Sequence, residues 1–172
     1  MDTIKLMQDA KNGDKESQFK LGWRYRKGED GFEQSDSNAA YWYKLAAAQG
    51  HAPALNNLGM FYMNGLGGCG PDAKKAYNYY KAAAEKGDKL GIHNLGGCYA
   101  TGTGVECNLN KAFWIYMVAA QMGDDDSQAK VGLYYLKGVG VAQDIDNGIH
   151  WLKKAAEQGY EPAIEMLNTL YS

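Results

Sequence analysis

The sequence predicts an all-α fold: a solenoid of four antiparallel helix pairs with a lone helix capping each end. Three observations predict it. Gly13, Gly50, Gly87, Gly123 and Gly159 recur at spacings of 37, 37, 36 and 36 residues, the period of a repeated helix pair. Behind each of them come a small residue (Ser17, Ala54, Gly91, Ser127, Ala163), then an aliphatic (Leu21, Leu58, Leu95, Val131, Leu167), then a tyrosine (Tyr25, Tyr62, Tyr99, Tyr135, Tyr171), in steps of four residues. Steps of four lie on one stripe of a helix, so these rows read as a buried face. Finally, the stretches "SNAAYWYKLAAAQG", "AKKAYNYYKAAAEKG", "LNKAFWIYMVAAQMG" and "IDNGIHWLKKAAEQG" each carry central aromatics and an Ala-Ala pair near the end, which describes a second helix.

In chain order, residues 1–13 read as a lone second helix. The repeats are 14–50, 51–87, 88–123 and 124–159, and residues 160–172 read as a lone first helix. No linker interrupts the chain, so residues 1–172 are expected to form one domain. Each first helix carries a glycine at its middle: Gly22, Gly59, Gly96 and Gly132. A mid-helix glycine costs about 1 kcal/mol relative to alanine, so four in phase predict close approach of a neighbouring helix. Asn168 breaks the row in the last helix, as expected where no successor packs. Pro53 and Pro162 fall in first turns, where a missing N–H does no harm. Gly28, Gly65, Gly102 and Gly138 stand where the first helices should stop. Gly67, Gly104 and Gly140 follow two residues later, and the first turn, "GEDGFEQSDSN", departs from this pattern and is expected to be the least regular. Trp42, Trp114, Trp151 and most tyrosines fall in phase and are expected in the core. Trp23, whose counterparts are Met60, Gly97 and Leu133, is expected on the surface.

Composition narrows the function. The chain is 45% apolar with a net charge of −2 and charges of both signs, which speaks against coating nucleic acid or anionic lipid. No apolar run approaches the roughly 20 residues of a membrane span. The start, "MDTIKLMQDAKNG", does not resemble a secretory signal, so the expectation is a cytoplasmic protein, or a periplasmic one if a signal has been removed. Cys69, Cys98 and Cys107 are an odd set and read as reduced thiols. The glycines of "GLGGCG" (residues 65–70) match G-x-G-x-x-G but follow a helix instead of a strand, so they read as a turn and not as a dinucleotide loop. Ser17 and Ser127 each open an S-x-x-K spacing, that of a lysine-activated serine nucleophile, yet both occupy a packing position of the repeat and no K-T-G accompanies them. His51, His93 and His150 fall at unrelated phases, and Asp124-Asp125-Asp126 open a helix, where acidic residues offset its dipole. No catalytic, metal or cofactor residue is therefore expected.

The combination of "ALNNLGMFYMNGLG" with "KKAYNYYKAAAEKG", of "GIHNLGGCYATGTGV" with "NKAFWIYMVAAQMG", and of "SQAKVGLYYLKGVGV" with "NGIHWLKKAAEQG" resembles the Sel-1-like repeats, a branch of the tetratricopeptide-like helical repeats. The resemblance covers nearly the whole chain. It implies a right-handed α-solenoid and an adaptor or scaffold role through protein–protein contact. For bacterial members it also implies roles in signalling, secretion, host contact or immunity against interbacterial toxins. Some relatives are linked to β-lactamase activity, and some carry a disulfide in each repeat, whose regular cysteine pairs are missing here. First helices of such a solenoid line its concave side. The rows there that escape the repeat pattern are Lys20, Asn57, Asn94 and Lys130; Arg24, Phe61, Cys98 and Tyr134; and Lys27, Asn64, Thr101 and Lys137. With Trp23 they are expected to form a groove, amides central and cations at both ends, that holds the carboxylates or backbone of a protein or peptide partner. The first expectation is thus a non-enzymatic binding module. An immunity protein that occludes a toxin is the alternative, and a β-lactam or cell-wall peptide hydrolase a third. Oligomeric state stays open.

Overall fold

A computed structural model describes residues 3–171 without the Tyr171 side chain, so Met1, Asp2, Ser172 and the last ring of the tyrosine row lie outside the described residues. Among the described residues there are ten helices and no strand: α1 (Thr3–Lys11), α2 (Lys15–Lys27), α3 (Asp36–Ala48), α4 (Ala52–Asn64), α5 (Ala73–Glu85), α6 (Lys89–Thr101), α7 (Leu109–Gln121), α8 (Asp125–Lys137), α9 (Ile145–Glu157) and α10 (Glu161–Tyr171). They fall into two compact units, residues 1–91 and 92–172.

In the first unit each helix from α1 to α5 packs on the next. Side chains stop and start the helices as the chemistry of their ends demands. Asp14 and His51 cap the first helices by accepting the N–H groups of Ser17 (2.7 Å) and Ala54 (3.2 Å). Ser35 and Asp72 cap the second helices through Asn38 (3.2 Å) and Lys75 (2.9 Å), each cap being worth about 1 kcal/mol. The glycine row does what its phase predicts: a Cβ on Gly22 would lie 2.7 Å from the Tyr43 ring, and one on Gly59 2.5 Å from Tyr80. The missing side chains are the seats of those two rings. Tyr43 is fully buried beside Leu58, Phe61 and Ala46. Its hydroxyl has no partner at hydrogen-bond distance. Burial pushes its pKa up to about 12, with nearby Asn57 holding it down a little.

The first turn is as long as the second, residues 28–35 against 65–72. It differs in that Asp30 stands at the place of Gly67 and takes nearly the same left-handed backbone, φ 54° against 59°.

The second unit repeats the scheme from α6 to α10 around Phe113, Tyr116, Val131 and Leu152. Asn108, Asp124 and Asp144 are its caps. A Cβ on Gly96 would meet the Tyr116 ring at 2.9 Å; in the last pair Leu152 replaces the tyrosine and would meet one on Gly132 at 2.9 Å.

Two expectations about the core need correcting. Tyr25, Tyr62, Tyr99 and Tyr135 are half-buried and not core residues. They sit in last turns, half-covered by neighbouring side chains: Tyr62 stacks on Tyr79 with centroids 5.4 Å apart, beneath the Lys75 ammonium. Trp114 is 56% exposed. It points off the outer face of α7, while its neighbour Phe113 is buried in its place.

Candidate partner-binding surface

In the first unit, α2 turns Lys20, Trp23 and Lys27 to solvent. The Lys27 ammonium lies 5.1 Å from the Trp23 ring centroid, a cation–π contact. Arg24, on the same face, is largely covered and committed. Its Nε meets Asp30 Oδ2 at 3.0 Å and its Nη1 donates to Thr3 Oγ1 at 3.3 Å. These side chains border a cleft of about 530 Å³ lined by Leu6, Phe19, Lys20, Trp23, Arg24, Glu29 and Asp30. On α4, Asn57 is half-buried, and exposed Asn64 donates its amide to the Met60 carbonyl at 2.9 Å.

Phe61 does not belong to this surface. It is fully buried, set edge-on against Tyr43 with centroids 5.7 Å apart. Its counterpart Cys98 is buried too, and burial pushes that thiol up to about 11. The row varies from repeat to repeat because it fills irregular space between helices, not because it faces solvent.

In the second unit Asn94, Lys130 and Tyr134 are half-buried and Lys137 is exposed. Lys130 lies 3.9 Å from Asp126, and burial raises the Tyr134 phenol.

The structure also joins residues that the phases kept apart. His93 Nδ1 lies 2.8 Å from Ser127 Oγ and 3.2 Å from Asp124 Oδ2, and His93 Nε2 lies 3.5 Å from Asp126 Oδ2. Tyr160 donates its hydroxyl to Asp126 at 2.9 Å. Serine, histidine and aspartate invite comparison with a hydrolytic triad, but the geometry is wrong for one. A triad needs a nucleophile that substrate can reach and a carboxylate bonded to the opposite ring nitrogen; here Ser127 is fully buried and shares Nδ1 with the Asp124 carboxylate, and the carboxylate on the opposite nitrogen, Asp126, is 3.5 Å away. The cluster ties α6 to the start of α8. Only its sequence-distant member, His93, hid it from a reading based on repeat phase.

Burial raises the Asp124 carboxyl, but bonds from His93 and from the Ser127 hydroxyl and amide outweigh that and hold its pKa at about 2, against 3.8 ordinarily. A depressed value in the folded state adds stability that is complete above about pH 4 and disappears as pH falls through about 2, roughly 2 kcal/mol in all. Urea unfolding at pH 2, 3, 4 and 7 should show this slope. Asp124→Asn, which keeps a capping oxygen, should flatten it and lower stability at pH 7.

The two S-x-x-K serines share another arrangement. Gln18, next to Ser17, donates to the Ala10 carbonyl at 3.1 Å and accepts from Gln49 at 2.9 Å. Gln128, next to Ser127, does the same with Ala120 (3.1 Å) and Gln158 (2.8 Å). Both serines are buried in these amide clasps. Cys69 is buried and Cys107 exposed, and both are free thiols. Among the described residues no His, Cys, Asp and Glu group is arranged to hold a metal ion, and no helix is long and apolar enough to cross a membrane.

The Sel1 repeat family model matches residues 15–51, 52–88, 90–124 and 125–160. No curated protein matches the chain by sequence. Among solved structures it is similar to c5321, a protective antigen present in uropathogenic Escherichia coli strains and displaying an SLR fold. That match has 35% identity over 100% of this chain and a TM-score of 0.92. It is also similar to a Sel1 repeat protein from Oxalobacter formigenes, with 32% identity over 97% of this chain and a TM-score of 0.90. This chain spans 36% of the length of the first and 66% of the second. Helicobacter pylori cysteine rich protein B shares the fold at 24% identity and a TM-score of 0.59, over 74% of this chain and 96% of its own. With four tandem matches carried on helix pairs of the SLR solenoid class, the chain belongs to the Sel1 repeat family, whose members generally mediate protein–protein interaction.

Proposed function

We propose that this chain is a non-enzymatic module that binds a protein or peptide partner through the exposed faces of its first helices. In the first unit the contacts are Lys20, Trp23, Arg24, Lys27, Asn57 and Asn64; in the second they are Asn94, Lys130, Tyr134 and Lys137. The observation that carries the reading is Trp23, 44% exposed between two lysines at the edge of an apolar cleft. Tryptophan with cations beside it is the composition of interface anchors, and no packing need explains an exposed indole there. Neutralising a toxin would be one use of such a surface. A serine hydrolase is disfavoured by the burial of Ser17 and Ser127.

The test is capture of partners from a lysate of the source organism on immobilised protein. The Trp23→Ala/Lys20→Ala/Asn57→Ala chain and the Asn94→Ala/Lys130→Ala/Lys137→Ala chain are compared with wild type by mass spectrometry. Loss of one specific protein in either variant is the expected result. Capture of nothing by wild type, or the same protein at the same yield by both variants, refutes the assignment.

A further inference from the structure

We propose that the cleft between α1, α2 and the turn after α2 receives a short acidic segment of the partner, carrying one aromatic or long aliphatic anchor. The proposal rests on the reading above that the exposed face of α2 binds protein, and it names the chemistry of what is bound. The floor is apolar: Leu6, Phe19 and the Trp23 indole. At about 530 Å³ the cleft falls in the size range of ligand pockets. One wall is held in place before anything binds, because Arg24 is tied to Asp30 and Thr3. Asp30 adopts its left-handed backbone, φ 54°, which a non-glycine residue takes up at a cost, and its carboxylate meets Arg24.

Charge selects the sign of the occupant. Arg24 and Asp30 neutralise each other at 3.0 Å, and Glu16, earlier on α2, lies 3.2 Å from His51. Of the charged lining residues this leaves Lys20 against Glu29, and Lys27, whose ammonium lies beside the Trp23 ring, adds a second positive charge at the edge. A basic occupant is further disfavoured because the π face of Trp23 already holds Lys27 at 5.1 Å. An anionic segment meets two ammonium groups, and its anchor packs on Leu6, Phe19 and the part of the indole that Lys27 does not cover.

The spacing sets the pattern. Lys20 and Lys27 are seven residues apart, two helical turns or about 10 Å along the axis. In an extended peptide alternate side chains share a face at about 3.3 Å per residue. Carboxylates two residues either side of a central anchor therefore span about 13 Å, within reach of two flexible lysines. The motif is acidic-x-anchor-x-acidic.

The probes are three blocked peptides: acetyl-Glu-Ser-Phe-Ser-Glu-amide, acetyl-Glu-Ser-Ala-Ser-Glu-amide and acetyl-Lys-Ser-Phe-Ser-Lys-amide. Each is titrated into the isotopically labelled full chain while the Trp23 indole N–H and the amides of residues 20–31 are followed by NMR. The first peptide should shift these signals saturably and bind about fivefold or more tighter than the other two, as two exposed ion pairs allow. Lys20→Ala/Lys27→Ala should weaken it by a similar factor, and high salt should do so in wild type. All three substituted or probed side chains on α2, Lys20, Trp23 and Lys27, are at the surface, and circular dichroism checks that the variants keep their helix content. No saturable shift at roughly 5 mM, equal binding of the lysine peptide, or shifts confined to other helices overturns the proposal. If those failures occur while the Lys20→Ala/Trp23→Ala/Lys27→Ala chain still captures the partner that wild type captures, only the cleft assignment falls. If wild type captures nothing either, the binding-module reading falls with it.

Discussion

Replacing Phe61 with alanine should remove about 3–5 kcal/mol of stability, the range for emptying a buried aromatic site. The ring is fully buried in the first unit, edge-on to Tyr43 at 5.7 Å, with the Arg26 guanidinium 5.7 Å from its centroid. Arg26 in turn is bonded to Asp36 at 2.9 Å, at the start of α3. Removing the ring opens a cavity between α3 and α4 and takes away the surface against which Arg26 is held. The backbone is tight here as well, since the Phe61 carbonyl accepts the Leu66 N–H at 3.0 Å as the helix ends, so collapse into the space is restricted. In a repeat protein each pair leans on its neighbours, so the loss should spread through the unit and lower its melting temperature by on the order of 10 °C. Trp23→Ala, on an exposed side chain, should change stability by only about 0.5 kcal/mol. Denaturant unfolding followed by circular dichroism compares the two. A loss below about 1 kcal/mol for Phe61→Ala would mean the ring is not part of the core. It also follows that partner binding cannot be tested at Phe61, because any loss there would report unfolding.

The helix pairs, their boundaries and the glycine rows were legible because each depends on a residue type that few alternatives can replace. Gly22 and Gly59 have no room for a side chain, and repetition in phase exposed them. Depth of burial was less legible. A stripe at steps of four marks the centre of a packed face, but a solenoid helix is flanked by more than one neighbour and its covered arc is wider than one stripe. Phe61 lies in that extra arc. Its row changes from Arg24 to Phe61 to Cys98, which read as a surface free to vary, when it is a set of gaps filled differently in each repeat. Tyr62 shows the converse: a position can recur because a ring must lie along a helix without being sealed from solvent. The cap on Ala54 from His51 stands one residue past a marker glycine, in phase with the Asp14 and Asp124 caps, but the change of residue type from aspartate to histidine hid it. The bonds from His93 to Asp124 and Ser127 left no periodic trace, because they are made once, between residues far apart in sequence. In the candidate surface, Lys20, Trp23 and Lys27 were legible from their phase. The cleft was not, because it needs Asp30 in a left-handed backbone to close one side.

Gly140→Ala should cost about 2–5 kcal/mol, where Gly102→Ala should cost only about 1–2. Both glycines have positive φ, 68° and 76°, so both substitutions meet the left-handed penalty of roughly 1–2 kcal/mol. The difference lies in what the new methyl would touch. At Gly102 the nearest atom is the Cys107 Cβ at 3.5 Å, an ordinary contact. At Gly140 the methyl would run into the Leu109 carbonyl, at the first turn of α7 in the preceding repeat. Asn110 holds that approach from the other side, donating its amide to the Gly140 carbonyl at 2.9 Å. A backbone carbonyl at a helix start cannot rotate away as a side chain does, so the turn must lift off and overpacking adds about 1–3 kcal/mol. In the first unit Gly67 meets the Asp36 carbonyl of α3 in the same way, so the second glycine of the turn is a docking point between successive repeats. Asp30 completes the argument. It occupies this position in the first turn with φ 54° and a full side chain, and it turns that side chain to Arg24. A side chain is therefore tolerated by the turn itself and excluded only where a helix start stands over it. Equal losses for Gly140→Ala and Gly102→Ala in urea unfolding would show that conformation alone, and not the contact with α7, selects glycine there.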